Sequence, residues 1–125
     1  MYRKIFLATV TSVILLLSAA VSADPVSVVF TCELKEGKTK EDAMAINAKW
    51  LKWARATGGS DEITSSYVST VIGDLSSFMW VDTYPDIVTW GKISEGDSGL
   101  DDEFNEVSSC SSNRMYRGEA TIPAK

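Results

Sequence analysis

The chain has no histidine among its 125 residues. Ser-His-Asp and Cys-His nucleophilic sites are therefore excluded in their usual forms. The commonest zinc ligand and the proximal histidine of haem proteins are missing as well. There is no Gly-rich phosphate loop, Walker motif or dinucleotide fingerprint. Cysteine is scarce: Cys32 and Cys110 are the only two, far from the C-x-x-C spacing of a redox pair. Basic charge is also short, with 12 Lys and Arg against 17 Asp and Glu and a net charge of −5. No basic patch offsets this balance, so neither nucleic acid nor an anionic lipid surface is an expected partner. Internal repeats and low-complexity runs are lacking too, and residues 24–125 do not read as disordered.

What is present begins with an export pattern. Arg3 and Lys4 precede an uncharged run from Ile5 to Val21, which ends in Val21-Ser22-Ala23 before Asp24-Pro25. A basic start, an apolar stretch and small residues at the cut are the three parts of a cleavable secretory signal. The expectation is that residues 1–23 are removed and residues 24–125 act as one domain, periplasmic or secreted, with no membrane anchor left. A short transmembrane anchor is the competing reading of the same run, against which stand its Thr, Ser and Ala residues. Removal of Arg3 and Lys4 would make the remaining chain still more acidic. In an oxidising compartment Cys32 and Cys110 read as a disulfide, with two separate buried thiols as the alternative. Such a bridge closes a loop of about eighty residues and could contribute about 4 kcal/mol on the chain-entropy model.

The periodicity then defines the elements. Val26, Val28, Phe30, Cys32 and Leu34 alternate with Ser27, Val29, Thr31 and Glu33, which predicts a strand. Thr39 with Asp42 three residues on has the form of a capping box, with Asp as the shorter acid. From Lys40 to Thr57 the stripe Ala43, Ile46, Trp50, Trp53, Ala54, Thr57 predicts a helix, stopped by Gly58-Gly59. Strands are expected at Ile63–Ile72 and Phe78–Tyr84. Asp86 caps a short helix to about Ile93, and Leu100, Phe104 and Val107 mark a further helix to about Ser109. A last strand is expected from Arg114 to Ile122.

This order is β-α-β-β-α-β with one short inserted helix. It predicts an α+β, ferredoxin-like sandwich: a four-stranded antiparallel sheet, first and third strands central, with helices on one face. In that fold the last strand runs beside the first, which brings Cys110 near Cys32. The sequence also resembles the dimeric α/β barrel superfamily, which contains antibiotic-biosynthesis-monooxygenase-like domains. The resemblance rests on the Val26–Leu34 strand, the Trp50/Trp53 helix and the run Phe78-Met-Trp-Val-Asp-Thr-Tyr-Pro-Asp86 followed by Trp90. It implies sheet-to-sheet pairing into a closed barrel, and in some members binding or oxidation of flat hydrophobic molecules between sheet and helices. The haem-degrading branch generally relies on a histidine, which this chain lacks. Independently, both faces of the first strand carry apolar side chains, Val29 on the second, which points to a homodimer covering the open face. A monomer with a Ser/Thr-coated face (Ser27, Thr31, Thr64, Ser66, Thr70) is the alternative.

The candidate chemistry is narrow. Asp82 is in phase with Phe78, Trp80 and Tyr84, so it lies among aromatic rings, where a raised pKa would suit a general acid or base. A structural ion pair with Arg114 or Arg117 is the plainer reading. Trp50, Trp53, Tyr67, Trp80, Tyr84, Trp90 and Tyr116 are the candidate ligand-binding residues, Trp53 and Trp90 being best placed at the edges of their helices. Plain core packing is the alternative for each. The acidic segment from Asp97 to Glu103 does not fit a calcium loop, and Asp101, Asp102 and Glu103 are first-turn helix charges. No metal and no cofactor are therefore expected. Three functions fit: a non-catalytic binding domain for a small hydrophobic or aromatic molecule, a cofactor-free monooxygenase-like enzyme, or a protein-interaction module using the open sheet face.

Overall fold

The structure is a computed structural model and describes residues 24–119 and 123. The export segment 1–23 and the end of the expected last strand, 120–122, lie outside the described residues. Seven elements follow in order: β1 Val26–Leu34, α1 Lys40–Gly58, β2 Thr64–Ser69, β3 Ser77–Tyr84, α2 Ile87–Ser94, α3 Asp101–Val107 and β4 Ser108–Arg117.

Local chemistry sets the ends of α1. Asp42 N–H donates to Thr39 Oγ1 at 3.2 Å, and Thr39 N–H donates to Asp42 Oδ2 at 2.9 Å. The expected capping box is complete, and each group satisfies a donor that the first helical turn leaves free. At the other end Gly59 adopts φ 65° and returns its N–H to the Arg55 carbonyl, a left-handed conformation that costs glycine nothing. Asp86 caps α2 in the same manner, accepting from Thr89 N–H at 2.7 Å.

The strands form one antiparallel sheet in the order β2-β3-β1-β4. β1 and β3 are central, and the helices cover one face, giving the ferredoxin-like α+β arrangement. Val26, Val28 and Cys32 of β1 and Phe78, Trp80, Asp82 and Tyr84 of β3 are buried on that face. The helices bring Ala43, Ile46, Ala54, Ile93 and Val107 against them. The core is nevertheless two clusters. One gathers around Val26, Ile63, Tyr84 and Ile93, the other around Cys32, Ile46, Phe78 and Trp80, and half-buried Phe30 packs against both.

Two strands differ from expectation. β4 begins at Ser108, six residues before Arg114, so Cys110 lies inside the strand and directly opposite Cys32. A disulfide joins them across 78 positions. β2 ends at Ser69, and Val71 and Ile72 sit in the β2–β3 loop, almost fully exposed. The Ser/Thr/Val composition of 63–72 favours a strand throughout. The chain turns earlier because β3 must start at Ser77 to pair in register.

Candidate functional site

A cavity of about 670 Å³ opens between the two core clusters, on the helix-covered side of the sheet. Its floor is Val28 and Phe30 from β1 with Trp80, Asp82 and Tyr84 from β3. Its walls are Asn47, Trp50 and Trp53 from α1, Trp90 and Ile93 from α2, and Phe104 from α3. Cys110, Asn113 and Met115 of β4 close one side, and Asp97 and Asp101 stand at the rim. Volumes of this size accept a drug-sized molecule.

Asp82 is the polar centre of the floor and only 5% exposed. Strand register places it opposite Val28 on one side and Ser65 on the other. Ser65 Oγ donates a short hydrogen bond to Asp82 Oδ1. Ser65 in turn accepts from Asn47 Nδ2 at 2.9 Å, so a relay runs from α1 through β2 to the carboxylate. Oδ2 has no hydrogen-bond partner among the described residues, and no cation among them pairs with Asp82. Burial therefore dominates: it raises the carboxyl to about 6 from 3.8, and the Ser65 bond only partly opposes it. The same burial, with the neighbouring Asp82 charge, raises the Tyr84 phenol above its ordinary range. Neither ion pair considered from sequence is formed: Arg114 stands opposite Val29 in the ladder and belongs to the other face of the sheet, while Arg117, opposite Val26, makes no ion pair with Asp82.

Of the residues singled out from sequence, Trp53, Trp80, Tyr84, Trp90 and Asp82 meet in this one cavity. Tyr67 does not line it. Its ring stacks on Phe78 at 4.3 Å and meets Trp80 edge to face at 5.2 Å. Tyr116 lies opposite Ser27 on the open sheet face and is 51% exposed. Cys32 and Cys110 form the disulfide, and Cys110 also borders the cavity. Trp50, also named from sequence, lines the cavity too. Asn47, Ser65, Phe30 and Phe104 escaped sequence reasoning as site residues; a single Asn or Ser carries no signal of such a role.

Gly96 touches this architecture closely. A Cβ there would lie 2.8 Å from Trp53 Cζ2. Trp53 is only half-buried, so its ring should yield and the stability cost should sit near the low end of overpacking, about 1 kcal/mol. The cavity wall would move with it. Gly96→Ala is therefore expected to shift the tryptophan emission and weaken a bound probe several-fold; an unchanged spectrum and affinity would show that this wall does not matter.

A four-stranded antiparallel sheet with helices on one face is the ferredoxin-like arrangement, and solved structures with this fold match the chain. The cofactor-independent oxygenase SnoaB from Streptomyces nogalater superposes with a TM-score of 0.60 at 11% identity, over 82% of this chain and 100% of the other. An uncharacterized NIPSNAP-like domain protein from Burkholderia xenovorans gives 0.53 at 14% identity, covering 82% and 92%. A hydroxynitrile lyase from Passiflora edulis gives 0.52 at 12%, covering 82% and 100%. No protein-family model matches the sequence. No curated protein matches it either. At these identities the likeness is one of fold, and neighbours with two different chemistries show that the fold does not choose a reaction.

Proposed function

We propose that this is an exported binding domain for a small hydrophobic or aromatic molecule, held between the sheet and the helices. The observation that carries the reading is the cavity of about 670 Å³ lined by four tryptophans with one buried carboxylate at its floor. The volume is concave and partly open to solvent, as a ligand cleft is. The Cys32–Cys110 disulfide and the signal-like residues 1–23 support export. On the open face, Val68 and Met79 are 38% and 37% exposed beside half-buried Val29 and Val81, which supports pairing with a second copy.

Native mass spectrometry of the protein recovered from an oxidising export host tests both points. The expected result is a dimer with a reproducible small-molecule mass, or saturable quenching of tryptophan fluorescence by added 2-naphthol. Absence of added mass together with absence of saturable quenching overturns the binding reading.

A second reading, cofactor-free monooxygenation, is favoured by Asp82 itself. A carboxylate with pKa about 6 among apolar walls is suited to remove a phenolic proton. Dioxygen would then add to the substrate carbanion, one oxygen atom remaining in the product and the other leaving as water. This reading requires label from ¹⁸O₂ in the product of a dihydroxynaphthalene and none with Asp82→Asn.

A further inference from the structure

The cavity is one-sided in charge. Asp82 lies at its floor, and Asp97 and Asp101 at its rim. Among the described residues no lysine lines it, and the one arginine at its border, Arg114, pairs in register with Val29, which turns its side chain to the open face of the sheet. Asp82 is more than nine-tenths buried, and Ser65 satisfies only Oδ1. Asp82 Oδ2 has no partner among the described residues and keeps contact with the cavity, and a carboxylate so largely withdrawn from water is unfavourable unless a cation meets it there. None of the described side chains does so. Around it stand the indoles of Trp50, Trp53, Trp80 and Trp90, and indole offers the best π-face for a cation.

We infer that the cavity selects an organic cation: a flat or compact molecule bearing a quaternary or protonated nitrogen, whose positive centre meets Asp82 Oδ2 and the indole faces. The inference rests on the cavity being a ligand site and adds the ligand's charge. It separates this site from one for neutral arenes, for which an uncompensated carboxylate on the floor is a penalty. It also explains the acidic rim: Asp97 and Asp101 raise the local concentration of a cation approaching the mouth and repel an anion.

The test uses three probes of nearly one shape. 1-Methylquinolinium is a cation, 1-methylnaphthalene its neutral counterpart, and 1-naphthoate an anion. Binding of each to the disulfide-bonded protein is measured by equilibrium dialysis at pH 8. The cation is expected to bind at least tenfold more tightly than the neutral probe, with the anion weakest. In Asp82→Asn the cation-to-neutral ratio should fall to near one. Equal binding of cation and neutral probe, or a preference for the neutral one, overturns the charge assignment and leaves the cavity reading standing. Failure of all three to bind overturns both. A cation preference that survives in Asp82→Asn overturns the role given to Asp82.

Discussion

Asp82→Asn is expected to make the protein more stable at pH 8, by roughly 3 kcal/mol. The folded carboxyl titrates at about 6, against 3.8 for the unperturbed group. The folded state therefore holds the Asp82 proton more tightly than the unfolded chain does. Any stability tied to that proton is fully present below pH 3.8 and is lost as pH rises through about 6. Every tenfold difference in proton affinity between the two states is worth about 1.36 kcal/mol, so the ionised carboxylate costs roughly 3 kcal/mol once pH exceeds about 7. Asparagine removes the charge and keeps an oxygen to accept from Ser65. The gain in melting temperature should be on the order of 10–20 °C at pH 8 for a domain of this size. It should shrink steadily below pH 6 and vanish near pH 4. Thermal melts of the two proteins across that range measure it. A variant less stable than the parent at pH 8 would mean that the carboxylate is compensated in the folded state, and the empty-counter-ion account would be wrong. A confirmed gain would mark Asp82 as a residue kept at the expense of stability, as functional groups often are.

The second large effect concerns the disulfide. Replacing both cysteines with alanine, or reducing the parent, should destabilise the domain by about 4 kcal/mol, from the chain entropy released when so long a loop is freed. The loss should fall mainly on β4. Of its ten residues only Ser108 is buried, so little side-chain packing holds the strand beyond its ladder with β1. Denaturant titration gives the total, and amide exchange should show residues 108–117 losing protection before β3 does. A loss below about 1 kcal/mol would show that the ladder alone secures the edge, contrary to the chain-entropy expectation. Because Cys110, Asn113 and Met115 close one side of the cavity, the same variant should also bind a probe more weakly.

Much of this architecture is legible because the signals are local. Alternation marks β1 with its bounds, and Thr39 with Asp42 marks the start of α1 without reference to any tertiary contact. Asp86 does the same for α2. The start of β4 is not legible, because Ser-Ser-Cys-Ser-Ser-Asn carries no alternation and little strand propensity. It is extended because the free edge of β1 offers it a ladder and Cys32 a covalent partner, both non-local facts. The site divides along the same line. Asp82 is visible from its phase with Phe78, Trp80 and Tyr84, and Trp53 and Trp90 from their places on helix edges. Ser65 is not, because its meeting with Asp82 depends on the β2–β3 register. Asn47 is hidden for the same reason, reaching Ser65 from a helix whose packing angle no single sequence reveals. Tyr67 is drawn instead into a stack on Phe78, where an aromatic ring finds an aromatic neighbour without needing a ligand.

The strand order also dictates when the molecule can be finished. β1 is the first of the described elements to be made and sits in the middle of the sheet, flanked by β3 and β4. Its second neighbour is the last of them. A chain emerging from amino to carboxyl end can pair β1 with β3 early, but the other edge of β1 stays bare until residues 108–117 arrive. For that interval a central strand rich in valine presents an open ladder, the kind of edge that recruits other chains. Only when β4 docks can Cys32 find Cys110, so the covalent bond records its arrival. A chain cut short before Ser108 would keep the core contributed by all three helices and still lack the strand that makes the sheet safe.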